Sequence, residues 1–108
     1  MRLIFVFIFL LALNPSVVQS GKVTVSGIVT DKITKQPIEF VTVLILDKKD
    51  SSIIKGTITD KKGKFSIEEI QPGHYLVHYS YIGYEDSKAM ELNINRDQKN
   101  ISLGVFEL

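Results

Sequence analysis

The chain has 108 residues, no cysteine, two histidines, and 13 basic against 12 acidic side chains. That balance excludes bulk attraction to nucleic acid or an anionic membrane, and the missing cysteine excludes disulfide staples, thiolate-held metal and a lipidated cysteine. An exported domain of this size without cysteine must hold itself together with its apolar core alone.

Met1-Arg2 is a short positive start, Leu3 to Leu13 is unbroken apolar, and Asn14-Pro15 stops any helix there. Val18-Gln19-Ser20 then supplies modest residues where a signal peptidase inspects the chain. The run is well short of the ~20 residues that cross a bilayer, so residues 1–20 are read as a signal peptide. Gly21 to Leu108 then has room for one small domain, which buries roughly 60–65% of its unfolded surface.

From there the chain reads as six or seven short strands separated by turns, with no helical period. Val23, Val25 and Val29 form the first, ended by Asp31-Lys32 and the Lys35-Gln36-Pro37 turn. Ile38 to Leu46 is apolar on both sides and is predicted to be a central strand covered on both faces. Asp47 to Ser52 is a polar loop, after which Ile54, Gly56 and Ile58 alternate with Lys55, Thr57 and Thr59. Asp60 to Gly63 is a turn cluster leading into Phe65 and Ile67, and the pattern predicts a hairpin. Glu68-Glu69 reads as a solvated strand end. Pro72-Gly73 makes a second reversal, after which Tyr75, Val77, Tyr79 and Tyr81 share one face and His74, His78 and Ser80 the other. Gly83 is read as a turn. Met90, Leu92 and Ile94 form a further strand, and Ile101, Leu103 and Val105 the last, running in strand pattern to Leu108. That ending leads us to expect either a fragment of a longer polypeptide or a gene truncated at a domain edge. Short strands with turns at intervals near ten residues predict an antiparallel β-sandwich.

Little in this pattern carries chemistry. His74 and His78 on a strand stand roughly 13 Å apart, too far for one metal ion. No Ser-His-Asp arrangement or paired carboxylates surround a glycine-rich nucleophile turn, so no catalytic, metal or cofactor residues are assigned and no enzyme activity is expected. The tyrosines that share a face with Val77 are expected in the core. Tyr84, following Gly83, is expected exposed at a strand end, as a candidate ligand or partner contact. Asp60, Gly63, Pro72, Gly73 and Gly83 are read as structural turn residues.

Several ordered pieces carry a resemblance: Ser26 to Asp31, Pro37 to Val43, Gly56 to Asp60 with Gly63 and Phe65, Pro72 to Tyr75, and Tyr81 to Glu85. Singly weak, in this order they resemble the carboxypeptidase-regulatory-like domain, over essentially all of Gly21 to Leu108. The resemblance implies a seven-stranded Greek-key sandwich of the transthyretin (prealbumin) type. It also implies an N-terminal, periplasmic, non-enzymatic module of TonB-dependent receptors and related outer-membrane barrel proteins of Bacteroidetes-type Gram-negative bacteria. In such receptors a connector, a plug and a barrel that takes up nutrients follow the domain. The implied partners are proteins of the cell envelope, with no cofactor and no nucleic acid. Two other settings fit the same domain: a free-standing secreted module binding carbohydrate or a surface polymer, and an accessory domain of a secreted metallocarboxypeptidase.

Overall fold

A computed structural model describes Lys22 to Leu108 apart from Asp86 and Lys88; the expected signal peptide, residues 1–20, lies outside the described residues. Seven strands follow one another: β1 (Val23–Thr30), β2 (Thr42–Asp47), β3 (Ile53–Ile58), β4 (Lys64–Ile70), β5 (Gly73–Ser80), β6 (Met90–Ile94) and β7 (Asn100–Glu107). They form two sheets, β4-β1-β7 and β3-β2-β5-β6, and no helix is present among the described residues. Period-two alternation puts Val23, Val25 and Val29 of β1, Val43 and Ile45 of β2, and Tyr75, Val77 and Tyr79 of β5 between the sheets. The chain is thus an all-β sandwich with one apolar core.

The expected hairpin at Asp60 to Gly63 does not form. The turn itself closes, with Gly63 N–H donating to Asp60 C=O at 2.8 Å and Asp60 N–H to Lys64 C=O at 2.9 Å. Yet β3 belongs to the four-stranded sheet and β4 to the three-stranded one. Turn chemistry is local, whereas the choice of sheet rests on long-range contacts: Val29 N–H of β1 donates to Gly63 C=O at 2.8 Å and draws the start of β4 to β1. The hairpin lies one connection earlier, between β2 and β3. There Asp47 N–H donates to Ser52 C=O and Ser51 N–H to Asp47 C=O, both at 2.8 Å.

The sandwich is not wholly antiparallel either, because β1 and β7 pair in parallel. They come from opposite ends of the domain, and no short connection forces them to run against each other.

Two bulges reset the alternation. On β4, Val25 faces Ile67 but Val23 faces Ile70, with Glu69 at φ 62 taking up the extra residue. Ile67 and Ile70, three apart, are thereby both buried, and Glu68-Glu69 lies inside the strand instead of at its end. On β7, Ser26 faces Ser102 and Ile28 faces Val105, with Gly104 at φ 75 between. This turns Val105 out to 60% exposure. It also swings Phe106 in, flat against Tyr79 with ring centroids 4.0 Å apart. Phe65 meets the same Tyr79 edge-on at 6.0 Å. Aromatic pairs of this kind contribute about 0.5–1.5 kcal/mol each beyond the area they bury. Burial pushes the Tyr79 hydroxyl up to about 12.

The segment predicted as one long strand from Ile38 is broken before β2. Phe40 sits at φ 69, and Phe40 and Val41 together oppose the single residue Thr59. Thr59 is the buried polar side chain of this core. Its hydroxyl donates to Ile38 C=O at 2.6 Å and accepts from Val41 N–H at 2.9 Å, so both groups are satisfied away from water. The strand β2 is interior to its sheet, but only one face is covered: Val43 and Ile45 are buried, while Leu44 and Leu46 are half-buried on the outer face.

Candidate functional site

At the end of the sandwich where β1, β5 and β7 finish and β2 and β6 begin, three segments converge: Asp31 to Val41, Tyr81 to Glu85, and Leu108. Asp31 organises the first. Its Oδ1 accepts from the backbone N–H groups of Ile33 at 2.8 Å and Thr34 at 2.9 Å, the self-capping turn expected of Asp after a strand. Its Oδ2 accepts the Tyr84 hydroxyl proton at 2.5 Å, a contact between residues far apart in the chain. Leu108 is stitched to the same place, donating N–H to Thr30 C=O at 2.8 Å and accepting from Lys32 N–H at 3.0 Å.

Tyr84 was expected to be exposed; the structure holds it half-buried against the core, its ring tilted on Tyr81 with centroids 5.5 Å apart. Gly83, at φ 89, makes the turn that brings it there, and Tyr84 N–H closes that turn onto Tyr81 C=O at 3.1 Å. Around this anchored pair stand exposed apolar side chains: Ile33 at 87%, Ile82 at 93% and Phe40 at 59%. A shallow cleft runs between Phe40, Thr42, Ser80, Tyr81 and Ile82, and another lies beside Asp31 and Tyr84. Bulky residues seldom accept positive φ, so the exposed Phe40 is held in its conformation by the backbone bonds around Thr59.

The Tyr84 hydroxyl, ahead of the Thr34 and Ile33 N–H groups, lowers the Asp31 carboxyl from 3.8 to about 2. The folded chain therefore binds that proton less tightly than the unfolded chain. The resulting stabilisation is complete above about pH 4 and is lost as pH falls toward about 2. Asp50 and Asp60 are also lowered, chiefly by the backbone N–H groups of Ser52 and Lys64, and share this acid limb. Replacing Tyr84 by Phe removes the leading cause at Asp31. Its carboxyl-carbon NMR titration is expected to move up toward the ordinary carboxylate range, and an unchanged midpoint would show that the contact does not form in solution.

Of the other residues singled out, Asp60 accepts from Lys62 N–H at 2.8 Å and Lys64 N–H at 3.0 Å, and Gly63 takes φ 75. Pro72 lies in the short link between β4 and β5, closed by the Tyr75 hydroxyl on Gln71 C=O at 2.7 Å, and Gly73 opens β5. Of these turns, the one at Gly63 packs against Val29 of β1 and against Pro37 and Ile38 of the Asp31 to Val41 segment. His74 is exposed, with Nδ1 2.7 Å from Asn93 Oδ1, and His78 is half-buried on the outer sheet face. Among the described residues no three His, Asp or Glu side chains converge as a metal site. Sequence reasoning missed Asp31, Thr59 and Phe40. An Asp at a strand end with a Thr three residues later was the legible signal for the first; Thr59 and Phe40 had none, since their roles depend on each other's backbone.

Comparison with known proteins agrees with this architecture. Residues 24–104 match the family model described as carboxypeptidase regulatory-like domain. No curated protein gives a significant match. Among solved structures, a D312A form of BcpA, the major pilin subunit of Bacillus cereus, superposes with a TM-score of 0.59 at 11% identity, over 79% of this chain and 29% of that one. The TIE protein of Bacillus anthracis gives 0.67 at 14% identity, over 80% and 17%. The 5-hydroxyisourate hydrolase of Klebsiella pneumoniae gives 0.59 at 15% identity, over 79% and 90%. The chain thus spans less than a third of each of the first two, and at these identities the likeness is one of fold.

Proposed function

We propose, from the fact that this chain belongs to the carboxypeptidase regulatory-like domain family, that it acts without catalysis, as an exported sandwich that docks or spaces a larger envelope protein. The larger protein is a TonB-dependent-type outer-membrane receptor, with this module on its periplasmic side. One observation carries the reading: the family match over residues 24–104 falls on a sandwich whose buried polar side chain, Thr59, is used up in holding backbone. What remains for function is surface. The leader-like residues 1–20 and the ordered motifs from Ser26 to Glu85 support export and the receptor setting.

The test is the gene itself. Reading the locus beyond the Leu108 codon is expected to find, in frame, a connector, a plug and a barrel. A stop at that point with no barrel in frame, or a peptidase domain in its place, overturns the receptor assignment. Titration calorimetry with oligosaccharides is expected to show no heat of binding; a saturable signal lost in Tyr84→Ala would favour a carbohydrate-binding module.

A further inference from the structure

The strands β1 and β7 are neighbours that run in parallel, and this sets how the domain meets a pull along its own chain. Their common direction puts the start of β1 and the end of β7 at opposite ends of the sheet, roughly 25 Å apart. The pairing runs from Thr24 opposite Asn100 to Thr30 opposite Glu107, interrupted at the Gly104 bulge. It is extended at one end by Thr24 N–H donating to Lys99 C=O at 2.9 Å. At the other, Leu108 N–H donates to Thr30 C=O at 2.8 Å and Lys32 N–H to Leu108 C=O at 3.0 Å.

We propose that β1 and β7 form a mechanical clamp, through which the domain bears tension applied between Lys22 and Leu108. Such tension lies along both strands and drives them to slide past each other. The hydrogen bonds on either side of the bulge are then loaded together, and none can break singly; antiparallel neighbours pulled from one end would instead part pair by pair. Side chains oppose the slide as well. The middle strand β1 is held by β4 on its other edge, with Val23, Val25 and Val29 wholly buried. The edge strand β7 is the one free to move, and Phe106 ties it to Tyr79 of the opposite sheet while Ile101 and Leu103 pack on the core. A slip of one residue would turn these side chains away from the core, and a slip of two would part Phe106 from Tyr79. The bulge pins the register further. Gly104 C=O lies 3.2 Å from where a Cβ on Gly27 would stand, so the bulge seats against the one residue of β1 that has no side chain. Sliding would bring Ser26 or Ile28 into that place.

The clamp follows from strand order and direction, and only its service in a spacer rests on the envelope-module reading. A locus without a barrel would refute that reading and leave the clamp standing. The test is single-molecule pulling at one fixed speed, a readout governed by the unfolding rate rather than by equilibrium stability. The chain has no cysteine, so introduced thiols are unique handles. Lys22→Cys with a cysteine appended after Leu108 loads β1 and β7 in shear, and whatever precedes residue 22 carries no load. Lys22→Cys with Gln71→Cys pulls at one end of the sheet, where Val23 faces Ile70, and peels β1 away pair by pair. The rupture force is expected to be at least about twofold higher in the first geometry. Phe106→Ala should lower the shear force and leave the peeling force unchanged, because peeling starts at Val23 while Phe106 faces Val29 near the other end of β1. Equal forces in the two geometries, a weaker first geometry, or a Phe106→Ala loss of the same size in both overturns the proposal. Should Phe106→Ala fail to fold, the comparison of the two geometries decides by itself.

Discussion

Gly63→Val is expected to destabilise the fold by roughly 3–4 kcal/mol. Two costs add. A β-branched residue at φ 75 takes on the left-handed penalty of about 1–2 kcal/mol. Its Cβ would also lie 2.4 Å from Val29 C=O, a backbone atom that cannot rotate away. The same carbonyl accepts from Ile38 N–H at 3.1 Å, and Val29 N–H donates to Gly63 C=O, so moving the turn loosens β1 and the entry to β4 together. For a domain of this size the melting temperature should fall by roughly 15–25 °C. Gly83→Val makes the contrast. It also has positive φ, but nothing stands within 4 Å of the added Cβ, so only the backbone penalty of about 1–2 kcal/mol remains. Urea melts of the two variants beside the parent check this; a Gly63→Val curve that overlays the parent would show that the turn is not built as described.

Thr59→Val is expected to cost about 3 kcal/mol, although it changes shape very little. The substitution leaves Val41 N–H and Ile38 C=O buried with no partner, at about 1–3 kcal/mol for each orphaned group. Thr59→Ser keeps the hydroxyl and loses one methyl, which predicts a loss nearer 1 kcal/mol. If Val and Ser cost the same, the methyl and not the hydroxyl would be what matters at this site. The Thr59 hydroxyl bridges Ile38 and Val41 on either side of Phe40, so its loss should loosen that kink although the Phe40 N–H to Thr59 C=O bond remains, and the Phe40 ring resonances should broaden or shift in Thr59→Val and stay in place in Thr59→Ser.

These two positions also mark how far sequence reasoning reaches. The Asp60 to Gly63 cluster was legible as a turn because Asp and Gly do their work within a few residues of themselves. That the turn joins two sheets was not legible, because the Val29 to Gly63 hydrogen bond decides it and those residues are 34 positions apart. Likewise the alternating tyrosines of β5 announced which side faces the core, and Tyr75, Val77 and Tyr79 are buried there. Tyr84 was read as exposed because its partner, Asp31, lies on the far side of the domain in sequence. The bulges at Glu69 and Gly104 escaped a strict period of two, which has no place for an extra residue.

By itself, then, the sequence determined the number and kind of elements, the apolar face of most strands and the family, because alternation, turn residues and ordered motifs act over short distances. Only the tertiary structure decided which strands share a sheet, that β1 and β7 run parallel, and that Asp31 holds Tyr84. Each of these depends on contacts between residues far apart in the chain, and a local pattern carries no record of which distant strand it will meet.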